Sequence, residues 1–186
     1  MCIRDRVEEL LDFARMESGR FNLCMEPMDL KAEFEETLFM YHETFKKEGI
    51  AIDYTQNDED ILVNGDRERL KQVFFNILDN AVKHGKTGGK LVLRADMDDK
   101  FASISIQDFG EGIPAEELPY VKLKFYKGTS KMTGSGIGLA VSDEIVKLHG
   151  GELNIESEYG AGTVVTILLP RYVPEQAETK IGDQNV

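Results

Sequence analysis

The sequence predicts an α+β fold: a two-layer sandwich with a layer of helices over one mixed β-sheet. Three observations lead there. Helical apolar periodicity recurs over about 29–47, 66–84 and 135–149. Segments 90–95 and 102–107 alternate well enough to be a strand pair joined near Asp98-Asp99, and strands at 152–157 and 163–169 complete the pattern. Helices and strands intermix without strict βαβ alternation, and no internal repeat is present.

Taken in order, Val7 to Met16 carries apolar residues at 7, 10, 11 and 14, the period of an amphipathic helix, and Gly19 supplies a stop. Arg20 to Asp29 reads as a short extended connector containing Pro27. Asp29 can cap a helix to about Lys47 that sets Leu30, Phe34, Leu38, Tyr41 and Phe45 along one face before Gly49. Ile50 to Tyr54 is a strand, and Ile61 to Asn64 a shorter one. Asp66 then caps a helix through His84, buried along Leu70, Val73, Phe74, Ile77, Leu78 and Ala81. Residues 113–133 lack a strong period and are rich in Lys, Tyr, Gly, Ser and Thr, as a mobile lid would be. The last predicted helix ends at His149 before Gly150-Gly151, and 174–186 is expected to be a disordered tail.

Composition narrows the functional classes. A chain of 186 residues suggests one domain plus flanking pieces. The formal net charge of -12 argues against nucleic acid or an anionic membrane as a general partner. An acidic protein that binds an anionic ligand must concentrate its few cations locally, which draws interest to lysines beside glycine-rich loops. Cys2 and Cys24 form no metal-type spacing and suggest a reducing compartment. No apolar run approaches the roughly 18 residues of a membrane span, so these residues are expected to be soluble. Residues 1–6, Met-Cys-Ile-Arg-Asp-Arg, match a translation of a transposon-end sequence used in sequencing-library preparation. They are treated as an assembly scar and set aside, the alternative being an ordinary basic start of a helix.

Three groups of residues carry chemistry. Asn76, Asn80 and Lys83 lie at i, i+4 and i+7 on one helix face. In isolation such residues are a solvated flank, but an Asn oxygen is also a hard neutral ligand suited to Mg²⁺ that already holds phosphate. Asp108 sits at a strand end before Gly110 and Gly112, glycines that permit tight turns and close backbone approach to a ligand. Gly134, Gly136 and Gly138 precede a helix whose exposed N–H groups and dipole favour an anion. Lys124, Lys127 and Lys131 can add charge there, although loop lysines are more often solvated.

Several lookalikes fail. Asp108-Phe109-Gly110 spells a eukaryotic kinase magnesium motif without its companion loops. Gly85-Lys86-Thr87 lacks the earlier glycine of a P-loop, Asn80 standing in its place. The glycines at 134, 136 and 138 miss dinucleotide spacing because position 139 is Leu. His42 lacks a phosphoacceptor context and His149 suits a helix C-terminus, so both read as structural.

In their order, Asn76-Ile-Leu-Asp-Asn80-Ala-Val-Lys83-His84, Asp108-Phe-Gly110-Glu-Gly112, Gly134-Ser-Gly136-Ile-Gly138-Leu139 and Gly160-Ala-Gly162-Thr163 resemble four family motifs. These are the N, G1, G2 and G3 boxes of the ATP-binding domain of bacterial sensor histidine kinases. That family lies within the gyrase, chaperone, kinase and mismatch-repair ATPase superfamily and has the Bergerat-type fold. The resemblance runs from about Val7 to Arg171. Leu10-Leu-Asp-Phe-Ala-Arg-Met-Glu-Ser-Gly19 is similar to the end of the family's second dimerisation helix. The implied division is 7–20 for that helix end and 21–173 for the catalytic, ATP-binding domain.

The resemblance implies residue roles. Asn80 would hold Mg²⁺ with Asn76 in support, Lys83 would contact phosphate, and His84 would lie where the family often has an aromatic ring near adenine. Asp108 would accept a hydrogen bond from the adenine amine, with Gly110 and Gly112 beside it and Thr163 lining the same end. Lys127, Gly134, Gly136, Gly138 and Leu139 belong to the phosphate side. Phe125 matches the second lid phenylalanine, while Lys122 stands where the first is common. No residue is assigned covalent chemistry.

Position 76 separates branches of the superfamily. The hydrolysing branches carry a Glu there as general base, whereas the amide of Asn76 accepts no proton at neutral pH. The resemblance therefore implies a kinase that presents the ATP γ-phosphoryl group to a histidine. That histidine lies on a dimerisation domain missing from these residues, and the phosphoryl group passes onward to a response-regulator receiver domain. The parent is expected to be a homodimeric inner-membrane sensor with this domain in the cytoplasm, and no nucleic acid is expected as a partner. The rivals are an anti-sigma-type serine kinase of the same superfamily and a degenerate nucleotide-binding regulatory module.

Overall fold

A computed structural model describes residues 11, 21–126 and 136–174. Leu11 is helical and exposed. The expected scar, most of the residual dimerisation helix, the glycine-lysine stretch 127–135 and residues 175–186 lie outside the described residues.

The elements run β1 (Glu26–Asp29), α1 (Leu30–Glu48), β2 (Ala51–Gln56), β3 (Leu62–Gly65), α2 (Arg67–Gly85), β4 (Lys90–Met97), β5 (Phe101–Asp108), α3 (Gly138–Leu148), β6 (Glu152–Glu158) and β7 (Gly162–Pro170). A five-stranded sheet has the order β2-β4-β5-β7-β6, and β1 pairs with β3 in a small second sheet. Only the β2–β4 pairing in the main sheet is parallel, so the sheet is mixed as expected. Most element ends shift by one or two residues from the sequence reading, and two differences are larger. The connector before Asp29 ends in a true strand, because Glu26 to Asp29 finds an antiparallel partner in Leu62 to Gly65. The last helix begins at Gly138 rather than near Ser135, since Gly136 has a left-handed φ of 70° and Ile137 supplies the cap position.

Two aspartates start the first two helices. Asp29 Oδ1 accepts the N–H groups of Lys31 at 3.0 Å and Ala32 at 3.4 Å, and also that of Ile61 at 3.2 Å. One carboxylate thus caps α1 and ties in the approach to β3. Asp66 does the same for α2: its Oδ1 accepts from Arg69 N at 3.2 Å and its Oδ2 from Cys24 N at 2.9 Å. Arg69 stacks over the Phe21 ring at 4.6 Å, so the chain entering the domain is held at the first turn of α2.

The core lies between the helices and one face of the sheet. Leu91, Leu93 and Ala95 of β4, Ala102, Ile104 and Ile106 of β5, and Val165, Ile167 and Leu169 of β7 are buried. They alternate with half-buried Val92, Ser105 and Thr166 on the opposite face. From the helix layer come Phe34 of α1, Leu70, Val73, Phe74, Ile77 and Leu78 of α2, and Val141, Ile145 and Val146 of α3. The Phe34 and Phe74 rings meet edge to face at 5.2 Å. Beside them the buried Glu33 of α1 is paired with Arg67 and, at 3.3 Å, with Lys71, both on α2.

His149, at the C-terminal end of α3, is buried with both ring nitrogens committed. Nδ1 lies 2.7 Å from the Ile145 carbonyl, and Nε2 accepts the Asp66 N–H at 2.9 Å. Those partners require the neutral ring with its proton on Nδ1. The start of α2 and the end of α3 are joined by this imidazole.

Two outcomes follow from this packing. Phe74→Ala should lower the unfolding free energy by about 3–5 kcal/mol, read from denaturant titrations. Burial holds the pKa of His149 below its ordinary 6.5. The unfolded chain therefore binds that proton first, and its contribution to stability is full above about pH 6.5 and lost as pH falls through the folded value. Urea midpoints at pH 7.5 and 5.5 should separate less for His149→Gln than for the natural chain.

Candidate active site

The site builds from the rotation of α2. With its apolar stripe sealed on the sheet, Asn76, Asn80 and Lys83 fall together on one edge, half-buried. Asn76 Nδ2 donates to the Gly138 carbonyl at 3.4 Å and to Ser142 Oγ at 3.3 Å, which joins it to the first turns of α3. Lys83 is paired with Asp79 one turn earlier. His84 follows in the last turn, exposed at its surface. Partial desolvation lowers its pKa, against the opposing pull of the Asp108 carboxylate.

The far end of the site is made by the sheet. Asp108 closes β5, only 6 % exposed, and faces the helix layer like Ile104 and Ile106 before it. Its Oδ1 accepts the Gly110 N–H at 2.9 Å. Burial raises its pKa, opposed by backbone N–H groups of Gly110 and Thr163 and by His84. Register sets Asp108 opposite Thr163, and Thr163 opposite Ser157, so three polar side chains lie in a row across β5, β7 and β6. Gly162, at φ 115°, comes so close that a Cβ there would stand 2.1 Å from the Asp108 carbonyl oxygen. No side chain is tolerated at that approach.

Ser157 is a residue the sequence reading missed. Its Oγ donates to the Gly162 carbonyl at 2.7 Å, accepts the Ile113 N–H at 2.8 Å and lies 3.0 Å from Thr163 Oγ1. It ties the loop leaving Asp108 to the turn between β6 and β7. Ser142, bonded to Asn76, was missed as well. Both sit among ordinary strand or helix residues, and only the pairing of distant segments exposes them.

The glycine-rich helix start is described from Gly136 onward. The Gly136 carbonyl accepts the Phe125 N–H at 2.8 Å. Gly138 and Leu139 begin α3, with Gly138 beside Asn76. Lys127 and Gly134 lie outside the described residues. Phe125 is 63 % exposed and takes a left-handed φ of 62°. Lys122 points the other way: its Nζ lies 2.9 Å from Asp143 Oδ1 on α3 and donates to the Leu153 carbonyl on β6. Asp143 is buried and shared with Lys147 at 2.6 Å. At position 122, where the resemblance implied that an aromatic is common, the lysine is thus engaged in an ion pair with Asp143.

The structure therefore assembles Asn76, Asn80 and Lys83 along α2 with Gly138 and Leu139 at one end. His84, Asp108, Gly110, Gly112 and Thr163 stand at the other. Residues 65–173 match the family described as histidine kinase-, DNA gyrase B-, and HSP90-like ATPase. The chain belongs to that family. It is similar to the sensor histidine kinase WalK of Bacillus subtilis, 30% identical over 178 residues, which are 92% of this chain and 29% of that protein. It resembles the solved mycobacterial sensor histidine kinase MprB, with a TM-score of 0.69 and 31% identity over 79% of this chain and 97% of that one. Full-length ShkA in complex with AMPPNP shares the fold, with a TM-score of 0.79 and 24% identity over 90% of this chain and 35% of that one. The ATP-binding catalytic domain of sensor histidine kinases is the unit these matches share. The chain spans about a third of the length of the curated relatives it matches.

Lys122→Met should leave Asp143 buried with one cation fewer. A loss of about 1–3 kcal/mol in unfolding free energy is expected from urea titration.

Proposed function

We propose that this chain is the part of a sensor histidine kinase that binds ATP and offers its γ-phosphoryl group to a histidine outside these residues. The observation that carries the reading is the amide at position 76. In this chain of the ATPase family, Asn76 holds the start of α3 by its own amide hydrogens. It provides no carboxylate to deprotonate water. A phosphoryl group kept from water is available for transfer to another acceptor.

In this reading Asp108 receives the adenine amine, with Thr163 and His84 around the base, and Gly110 and Gly112 let the backbone approach it. The N–H groups opening α3, with Gly134, Gly136, Gly138 and Leu139, face the phosphates, aided by Lys83 and Lys127. Among the described residues no cluster of His, Cys, Asp or Glu could hold a metal. Mg²⁺ usually keeps several waters and shares its site with substrate phosphate oxygens. Asn80, supported by Asn76, would hold it there, where it would neutralise charge on the transferring phosphate. The chain's own contribution is positioning and electrostatics.

Residues 21–173 would then be the catalytic domain following a dimerisation-helix end at 7–20. The partners would be the dimerisation and phosphoacceptor domain of a homodimer and a response-regulator receiver. Among the described residues no helix is long and apolar enough to cross a membrane. A cytoplasmic domain of a membrane-bound sensor is the proposed setting.

Calorimetry should show Mg²⁺-dependent binding of ATP in preference to GTP. Asp108→Ala should lose roughly tenfold or more in ATP affinity, the worth of one charged hydrogen bond. Asn80→Ala should lose the Mg²⁺ dependence, and equal ATP and GTP affinity in the natural chain would refute the adenine contact. Incubated with labelled ATP, the chain alone should carry no acid-labile phosphate on His42, His84 or His149. Transfer should appear when a dimerisation segment bearing an acceptor histidine is added.

A further inference from the structure

Gly85 ends α2 directly against Asp108. A Cβ built on Gly85 would stand 2.5 Å from Asp108 Cβ, 3.2 Å from its Cγ and 3.4 Å from its Oδ1. All three atoms belong to one side chain, and the nearest is fixed to the backbone. Rotation about χ1 therefore cannot relieve the overlap. The same seam is tight on both sides: a Cβ on Gly88 would meet the Phe109 carbonyl oxygen at 2.2 Å, and one on Gly110 the His84 oxygen at 2.0 Å. Across the sheet Gly162 closes on the Asp108 carbonyl. Asp108 is thus hemmed in on both sides, its side chain by α2 at Gly85 and its backbone carbonyl by β7 at Gly162, and its Oδ1 is engaged by Gly110.

We propose that Gly85 is a positioning residue for base selection: its lack of a side chain sets where the Asp108 carboxylate stands and hence whether adenine is preferred. The inference rests on the reading of Asp108 as the adenine partner. Gly85 lies outside the residues whose contacts define the phosphate end, so its substitution should separate base recognition from phosphate binding. Close packing makes the dependence steep, because a displacement of a few tenths of an ångström propagates to the carboxylate rather than being absorbed.

The test compares the natural chain, Gly85→Ala and Asp108→Ala in calorimetry with ATP, GTP and inorganic triphosphate, all with Mg²⁺. In Gly85→Ala, ATP affinity should fall roughly tenfold or more, as for one lost charged hydrogen bond. GTP and inorganic triphosphate should change by no more than about twofold, equivalent to under half a kcal/mol. The Gly110 amide, whose proton is bound to Asp108 Oδ1, should shift in ¹H–¹⁵N spectra. Parallel loss of all three ligands overturns the inference, as does an unchanged ATP-to-GTP ratio in Gly85→Ala while Asp108→Ala abolishes it. A preference retained in both variants instead overturns the adenine reading itself. If Gly85→Ala cannot be isolated folded, the double variant with Asp108→Gly removes the atoms the new methyl would meet. Recovery of folded protein supports the contact, and continued failure overturns it.

Discussion

The apolar stripe of α2, from Leu70 through Phe74 and Leu78 to Ala81, is sealed against the sheet, and that burial fixes the rotation of the helix about its axis. Everything polar at the site inherits its direction from there. With the stripe inward, Asn76 meets the first turns of α3, Asn80 and Lys83 line the same edge, and Gly85 arrives at Asp108. A rotation of one residue, about 100°, would expose the stripe and scatter these groups. The large cost of uncovering Phe74 or Leu78 is therefore also what keeps the site assembled.

Electrostatics imposes a second constraint. At a formal net charge of -12, the chain as a whole repels a triphosphate. Attraction has to be local and largely uncharged, which is what backbone N–H groups at a helix start and amide side chains supply. Several cations near the site are already committed. Lys83 faces Asp79, and Lys122 and Lys147 share Asp143. Lys122 in particular spends its charge on binding the segment before Phe125 to α3 and β6, so the exposed apolar side chains there are Tyr120, Leu123 and Phe125.

The candidate site and the rest of the fold share the same supports. His149 takes the Asp66 N–H with one nitrogen and the Ile145 carbonyl with the other, while the Asp66 carboxylate caps α2 and holds the incoming chain at Cys24. The two helices that frame the site are thereby coupled at the ends away from the Asn76 contact. A buried imidazole with both nitrogens engaged suits this task because it can accept on one side only while it donates on the other.

Much of this was legible in the residues themselves. Apolar periods located all three described helices, alternation located the main-sheet strands, and Asp29, Asp66 and Gly49 marked helix ends through local backbone chemistry. The candidate site residues stood out because the order and spacing of four short patterns, each weak alone, resemble the boxes of the family. These are short-range signals, and short-range physics writes them. What the tertiary structure alone decided involves partners far apart in the chain: β1 with β3, Asn76 with Ser142, Ser157 with Ile113, Lys122 with Asp143, Asp66 with His149, and Gly85 with Asp108. Each is a close contact whose existence depends on how the helix layer sits on the sheet. A single residue type such as Ser or Gly gives no hint of it until packing brings its neighbour within a few ångströms.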